Sequence, residues 1–518
     1  MLGLDRIRVL QRDAKILYAT RAIRLFGYGL IGVLLVLYMK ALGLRDDDIG
    51  GFLMLTLLGD CLVSLLVAAN ADVLGNRFML RLGAMSMCLT GVLFGVFPTF
   101  VAFDEWLGKT GDTAADMESW KGWLYFILIL ILGTVGVISP SGTEVGPFQA
   151  IEQSLLAKFV PMEQRATLFA WYTLVGSFMT ALGSLVSGMM ISFLTETSLW
   201  GAVYAVSASV DERAPSFGAI QSLMNGSIPG EPAGNPGDDE HHFSKLVAYR
   251  AMVVLYGVVG FVLFLAFSRL DPNVEGRDSV VDEAVRLRHE DIAPQRNVRA
   301  ANESLGEDSP LLTPCRERQP SLVPGMSLSP DLRWTVFKLC LLFVLDSFGS
   351  SMMNGSLLAY WFSQKYHVDE AYLGSLLFVS NILCGISALL AGAISQNIGL
   401  VNTMVFTHLP SNLLMMMVPF APNLFWATTL IFLRSSISQM DVGPRTAYIS
   451  SIFPSHERTG VLGLITTVRT LGAAFGPLLT GYLADKGMFD FCFIVGGGLS
   501  GLYDLLLLFS FGGRRVVE

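Results

Sequence analysis

A helix needs roughly 20 apolar residues to cross about 30 Å of hydrocarbon. This chain holds twelve apolar windows of about that length or longer, at 18–39, 49–69, 82–103, 122–152, 166–194, 247–268, 334–362, 371–394, 400–420, 422–451, 460–484 and 488–511. The expected fold is therefore an all-α membrane protein with twelve transmembrane helices. The balance of 52% hydrophobic to 15% charged residues lies outside the soluble range and agrees. A formal net charge of −8 over 518 residues gives no argument for nucleic acid. The six cysteines, Cys61, Cys88, Cys315, Cys340, Cys384 and Cys492, are scattered with neither metal-ligand nor disulfide spacing, so no metal or cofactor is expected. No nucleophile–base constellation points to an enzyme.

Between the sixth and seventh windows, residues 271–332 are rich in charge, Pro and Ser and cannot bury a core. They read as a flexible cytoplasmic linker between a first six-helix half, 18–270, and a second, 333–512. Residues 1–17 and 513–518 read as cytoplasmic ends. The charged N-terminus "MLGLDRIRVLQRDAK" shows no cleaved signal pattern. Basic residues flanking the spans place the N-terminus inside. That topology puts the loop 195–246 outside, with the glycosylation sequon Asn225-Gly226-Ser227. "EDSPLL", Glu307 to Leu312, fits an acidic dileucine sorting pattern, so the plasma membrane and a vacuolar or lysosomal membrane are both expected destinations.

The halves repeat one another. Ile49–Gly75 aligns without a gap on Leu373–Gly399, and Arg165, Gly183 and Gly188 share their spacing with Arg458, Gly476 and Gly481. "RLFGYGLIGVLLVLY" aligns with "DSFGSSMMNGSLLAY", superposing Phe26 on Phe348 and Tyr38 on Tyr360. Acid-Val-Gly-Pro occurs in the fourth window, at Glu144 to Pro147, and in the tenth, at Asp441 to Pro444. Two pseudo-symmetric six-helix bundles around a central axis form a transporter architecture, with solute handled between them near the membrane midplane.

With "AANADVLGNRFMLR" following the second window, the whole chain resembles the major facilitator superfamily. Asp72, Gly75, Arg77 and Arg81 match that family's loop motif, while Ala68 and Asn76 depart from it. The resemblance implies a cytoplasmic gate in which Asp72 meets the start of the eleventh helix near Ser455 to Thr459. Arg77, Glu152, Arg165, Glu457 and Arg458 are further gate candidates. It also implies that helices one and seven line the cavity.

A charged side chain at the bilayer centre costs about 2.5–3.5 kcal/mol on insertion scales, so intramembrane ionisable groups pair or face a wet cavity. Arg24, Asp60, Glu144, Asp346, Arg434, Asp441 and Arg469 are the candidates for substrate binding or coupling. The repeat places Arg24 opposite Asp346, which either bridge the halves or pair each within its own half. Pro147 and Pro444, beside Gly146 and Gly443, are expected to bend their helices next to Glu144 and Asp441. Such an acid either carries a proton or accepts hydrogen bonds that lock a gate. Glu152 is expected nearer the cytoplasmic end as a gate or surface contact.

The expectation is a secondary transporter acting by alternating access as a monomer in a lipid bilayer. Its substrate is expected to be a small solute, with anions among the candidate classes and protons as the coupled species. A non-transporting sensor or scaffold with the same fold is the competing class.

Overall fold

The computed structural model describes residues 12–100, 103, 120–136, 148, 151–153, 155–156, 162–196, 236–271, 330–453 and 455–511. The side chains of 64–74, 135, 162–170, 236–243, 330–332, 450, 455–460 and 462 are not among those described. Asn225, Glu144, Gly146, Pro147, the Glu307–Leu312 pattern and nearly all of the linker fall outside this set.

The first half supplies α1 (Arg12–Ala41), α2 (Asp46–Leu74), α3 (Asn76–Gly95), α4 (Trp120–Val135), α5 (Met162–Glu196) and α6 (Pro236–Ser268). The second supplies α7 (Pro330–Ser351), α8 (Gly355–Tyr366), α9 (Glu370–Ile398), α10 (Leu400–Met417), α11 (Leu424–Ser435), α12 (Val442–Ile452), α13 (Ser455–Asp485) and α14 (Phe491–Phe511). Each of the twelve apolar windows contains a described helix. Seven described spans are long and apolar enough to cross a membrane on their own, with α7 and α8 counted together, and Trp120–Thr134 and Leu424–Ser435 are shorter apolar helices. The chain is a multi-pass integral membrane protein.

Among the described residues, the seventh and tenth windows are broken inside the span where a continuous helix was expected. In the seventh, Asn354 acts as an N-cap: the Leu357 N–H donates to its side-chain oxygen at 3.0 Å, so α8 starts afresh. In the tenth, α11 stops at Ser435, residues 436–441 form turns, and α12 begins at Val442. Pro444 therefore lies in the first turn of α12, where a missing N–H costs no intrahelical bond. The expected proline bend is instead a full interruption ahead of the proline. The polar run Ser435-Ser436-Ile437-Ser438-Gln439 supports it, because these side chains can bond freed backbone groups.

The halves pack alike. In the first, α1 lies on α5 and α3 on α6; in the second, α7 lies on α13 and α10 on α14. A Cβ on Gly183 would sit 2.1 Å from the Phe26 carbonyl oxygen, and one on Gly476 2.8 Å from that of Phe348, so equivalent helix pairs close over equivalent glycines. Gly75 and Gly399, also equivalent, have φ of 88° and 87°, and each joins two helices in a backbone state that favours glycine.

The halves meet through α2 on α13 and α5 on α9. Gly50 and Gly481 form one crossing, where a Cβ on Gly481 would stand 2.7 Å from the Gly50 Cα. Gly188 and Gly374 form the other, where a Cβ on Gly188 would stand 2.8 Å from the Gly374 Cα. Beside these crossings, the Tyr360 hydroxyl donates to Asp46 at 2.8 Å and the Tyr249 hydroxyl to Glu370 at 2.7 Å. Lys245 pairs with Glu370 at 3.1 Å, and the Ser356 hydroxyl donates to the Gly32 carbonyl at 2.8 Å. Asp46 and Glu370 hold equivalent positions in the repeat. The bonds of Asp46 and Glu370 lie at the starts of α2 and α9, the end expected to face outside.

Candidate functional site

Membrane-depth charge is arranged as one cluster per half. In the first half, Arg24 of α1 is fully buried and reaches Glu152 with both terminal nitrogens, at 2.7 Å to Oε1 and 2.8 Å to Oε2. The Tyr172 hydroxyl of α5 donates to Glu152 Oε2, and the Thr20 hydroxyl lies 3.4 Å from Oε1. The Phe148 ring centre lies 4.7 Å from the Arg24 guanidinium carbon. Arg21, one turn earlier, donates to the Tyr172 carbonyl at 2.7 Å and stacks on its ring at 3.7 Å. Glu152 has no exposed surface and so is not the expected surface contact. A forked guanidinium on a buried carboxylate satisfies both charges, which is what lets either sit at this depth.

In the second half, Arg445 of α12 lies 3.2 Å from Asp346 of α7 and 3.3 Å from Asp441, all three buried. His408 of α10 has Nδ1 3.0 and 3.1 Å from the two oxygens of Asp504 on α14, and Nε2 3.8 Å from Asp346 Oδ1. The Asn412 amide donates to Asp504 Oδ2 at 3.0 Å. Five ionisable groups on four helices thus form one chain, Asp504–His408–Asp346–Arg445–Asp441. Of the two alternatives for Arg24 and Asp346, the structure contains pairing within each half.

Arg434 and Arg469 are different. Arg469 of α13 donates from Nε to the Ser347 hydroxyl at 3.2 Å, and its guanidinium carbon lies 6.0 Å from the Phe343 ring centre. Arg434 of α11 lies near Cys384 of α9, and its Nε has no hydrogen-bond partner among the described residues. Both are partly exposed, and neither has a carboxylate within 4 Å among the described residues. Asp60 of α2 is the converse: buried, with neither carboxylate oxygen hydrogen-bonded among the described residues.

Of the gate candidates, Asp72 lies in the last turn of α2 and Arg165, Glu457 and Arg458 in the first turns of α5 and α13, with side chains outside the described set. Arg77 donates to the Ser268 carbonyl at 2.6 Å, placing a cation at the C-terminal end of α6, where the helix dipole favours it. Gly443 is exposed at the start of α12.

Sequence reasoning passed over His408, Asn412, Tyr172 and Tyr503. A histidine inside an apolar window is itself a functional signal, and "FTHLPSN" carries it together with Asn412 two residues after Pro410. Nothing in the sequence marks Tyr172, since its value lies in a bond to a residue 20 positions earlier.

Residues 339–517 match the sequence model of the Major Facilitator Superfamily. The Uncharacterized membrane protein YJR124C of Saccharomyces cerevisiae is 27% identical over 516 residues, covering 98% of this chain and 96% of that one. Among solved structures, a D-xylose-proton symporter superposes with a TM-score of 0.59 at 14% identity, covering 95% of this chain and 96% of its own. A bacterial homologue of the human lysosomal transporter Spinster, inward-facing and occupied, superposes with a TM-score of 0.60 at 12% identity, covering 96% of each chain.

Proposed function

We propose that the chain is a secondary active transporter of the Major Facilitator Superfamily that moves a small anionic solute by alternating access, coupled to protons; the match of residues 339–517 to that family's model and the shared fold support this reading. The anionic reading rests on Arg434 and Arg469. An arginine held at membrane depth without a close counter-charge is costly, and among the described residues neither Arg434 nor Arg469 has a carboxylate within 4 Å, while Arg24 and Arg445 are committed to acids. An anion bound between the halves would supply the missing charge, and planar guanidinium forks suit a carboxylate or phosphate.

The glycine crossings and the bonds of Asp46 and Glu370 support alternating access. They close one end of the central axis with small-residue seams and a few polar contacts, which can part without exposing a large apolar surface. Asp60, Glu144, Asp346 and Asp441 are proposed as the acids involved in coupling, and Asp72 with Arg165, Glu457 and Arg458 as the opposite gate.

Binding is tested by the melting temperature of the purified full-length protein against a panel of small carboxylates, phosphate, neutral sugars and amines. A true ligand at 100 times its Kd adds about 2.7 kcal/mol of stability. At least one anion is expected to raise the melting temperature, and the effect should fall with added salt. Stabilisation only by neutral sugars or amines would contradict the anionic reading.

A further inference from the structure

We infer that His408 is a proton-loading site whose occupancy is passed to Arg445 through Asp346. The inference rests on the transport reading only for its purpose. An ionised carboxylate is an acceptor only, so the Asp504 oxygens beside Nδ1 fix the proton of a neutral imidazole on that nitrogen. Nε2 is then an acceptor, and it faces Asp346 Oδ1 at 3.8 Å. That oxygen is buried and has no hydrogen-bond partner among the described residues. Two buried acceptors facing each other leave a gap that one proton fills. Loaded on Nε2, the proton turns the ring nitrogen into a donor, and a shift of about 1 Å brings the pair to hydrogen-bonding distance.

The other carboxylate oxygen of Asp346 already serves Arg445 at 3.2 Å. One carboxylate is therefore shared by the proton site and by the arginine. When His408 carries its second proton, Asp346 has two cationic partners and holds Arg445 less tightly. Arg445 is then left to Asp441, 3.3 Å away, and to any anion arriving near Arg469. In this way a proton and an anion can favour each other without touching.

Other groups around the ring fit this role. From α14, Tyr503 meets it edge-on at 6.0 Å between ring centres, next to Asp504. Asn412, on its own helix, has its amide nitrogen 3.0 Å from Asp504 Oδ2 and 3.1 Å from His408 Nδ1; donated to the carboxylate, that amide leaves the Nδ1–H to the same carboxylate and does not compete for Nε2. Arg445 on α12 and Asp441 just before it lie behind Asp346, Arg469 on α13 is bonded to Ser347, and Arg434 on α11 lies beside Cys384 of α9.

The test is nitrogen NMR of the full-length protein in lipid nanodiscs, labelled on its histidines, with no solute present. The His408 signals are identified by their loss in His408→Gln. The doubly protonated form is expected to grow as pH falls from 9 to 5. Its ratio to the singly protonated form at a given pH should be roughly tenfold lower in Asp346→Asn, because a facing negative charge is removed. If Asp346→Asn does not fold, Asp346→Ser removes the same charge and reads the same change. A His408 that keeps one protonation state throughout, or a ratio unmoved in the variant, overturns the proposal. A titrating His408 in a protein that moves no solute would overturn the transport reading and leave the proton site standing.

Discussion

Glu152→Gln or Arg24→Ala alone is expected to cost about 3–5 kcal/mol, because each strands a buried charge whose partner has gone. The magnitude follows from the geometry. Both side chains are fully buried, the bond is forked at 2.7 and 2.8 Å, and the Tyr172 hydroxyl donates to the same carboxylate. The measurement is the melting temperature and monodisperse fraction of the purified protein, arranged as a double-mutant cycle. Arg24→Leu with Glu152→Leu should recover most of the loss, since two apolar side chains of similar volume often replace a buried ion pair at little cost. Equal and additive losses across the cycle would show that the pair does not act as a unit.

Arg434→Gln and Arg469→Gln should behave in the opposite way. Neither arginine has a carboxylate partner among the described residues, so removing its charge is expected to leave the melting temperature unchanged or raised. The loss should appear in binding. A hydrogen bond to a charged group is worth about 1.5–3 kcal/mol, so each variant should weaken the stabilising anion by roughly 10- to 150-fold. Arg434→Lys and Arg469→Lys should restore little, because an ammonium lacks the planar fork. Arg445→Gln is the control: it leaves Asp346 and Asp441 without their cation and should destabilise the protein whatever it does to binding. If Arg434→Gln and Arg469→Gln destabilise as Arg445→Gln does, the two arginines are structural.

The repeat was legible in the sequence because its signals are local. A close helix crossing demands a small side chain, so Gly183 and Gly476, Gly188 and Gly481, and Gly50 and Gly374 could be aligned before any contact was known. A positive φ favours glycine, which marks Gly75 and Gly399. The partners of the charges were not legible. Arg24 and Glu152 are 128 positions apart, and their meeting depends on how α1 is rotated against its neighbours, which composition does not fix. The same holds for Asp346 and Arg445, 99 positions apart. The interruption of the tenth window could have been read from Ser435, Ser436 and Ser438, but Pro444 drew the expectation toward a bend. His408 was passed over because a census of formal charge counts histidine as neutral, whereas at membrane depth its hydrogen-bonding capacity matters more.

The central claim, transport of an anion by alternating access, is tested most directly in proteoliposomes holding the purified full-length protein, with an imposed pH gradient and a panel of labelled small carboxylates, phosphate and neutral solutes. The account predicts that at least one anion accumulates above its equilibrium level, that a protonophore abolishes the accumulation, and that Arg434→Gln with Arg469→Gln removes it while the protein stays folded. No flux of any solute through folded protein would contradict the claim and favour a sensor or scaffold built on the same fold.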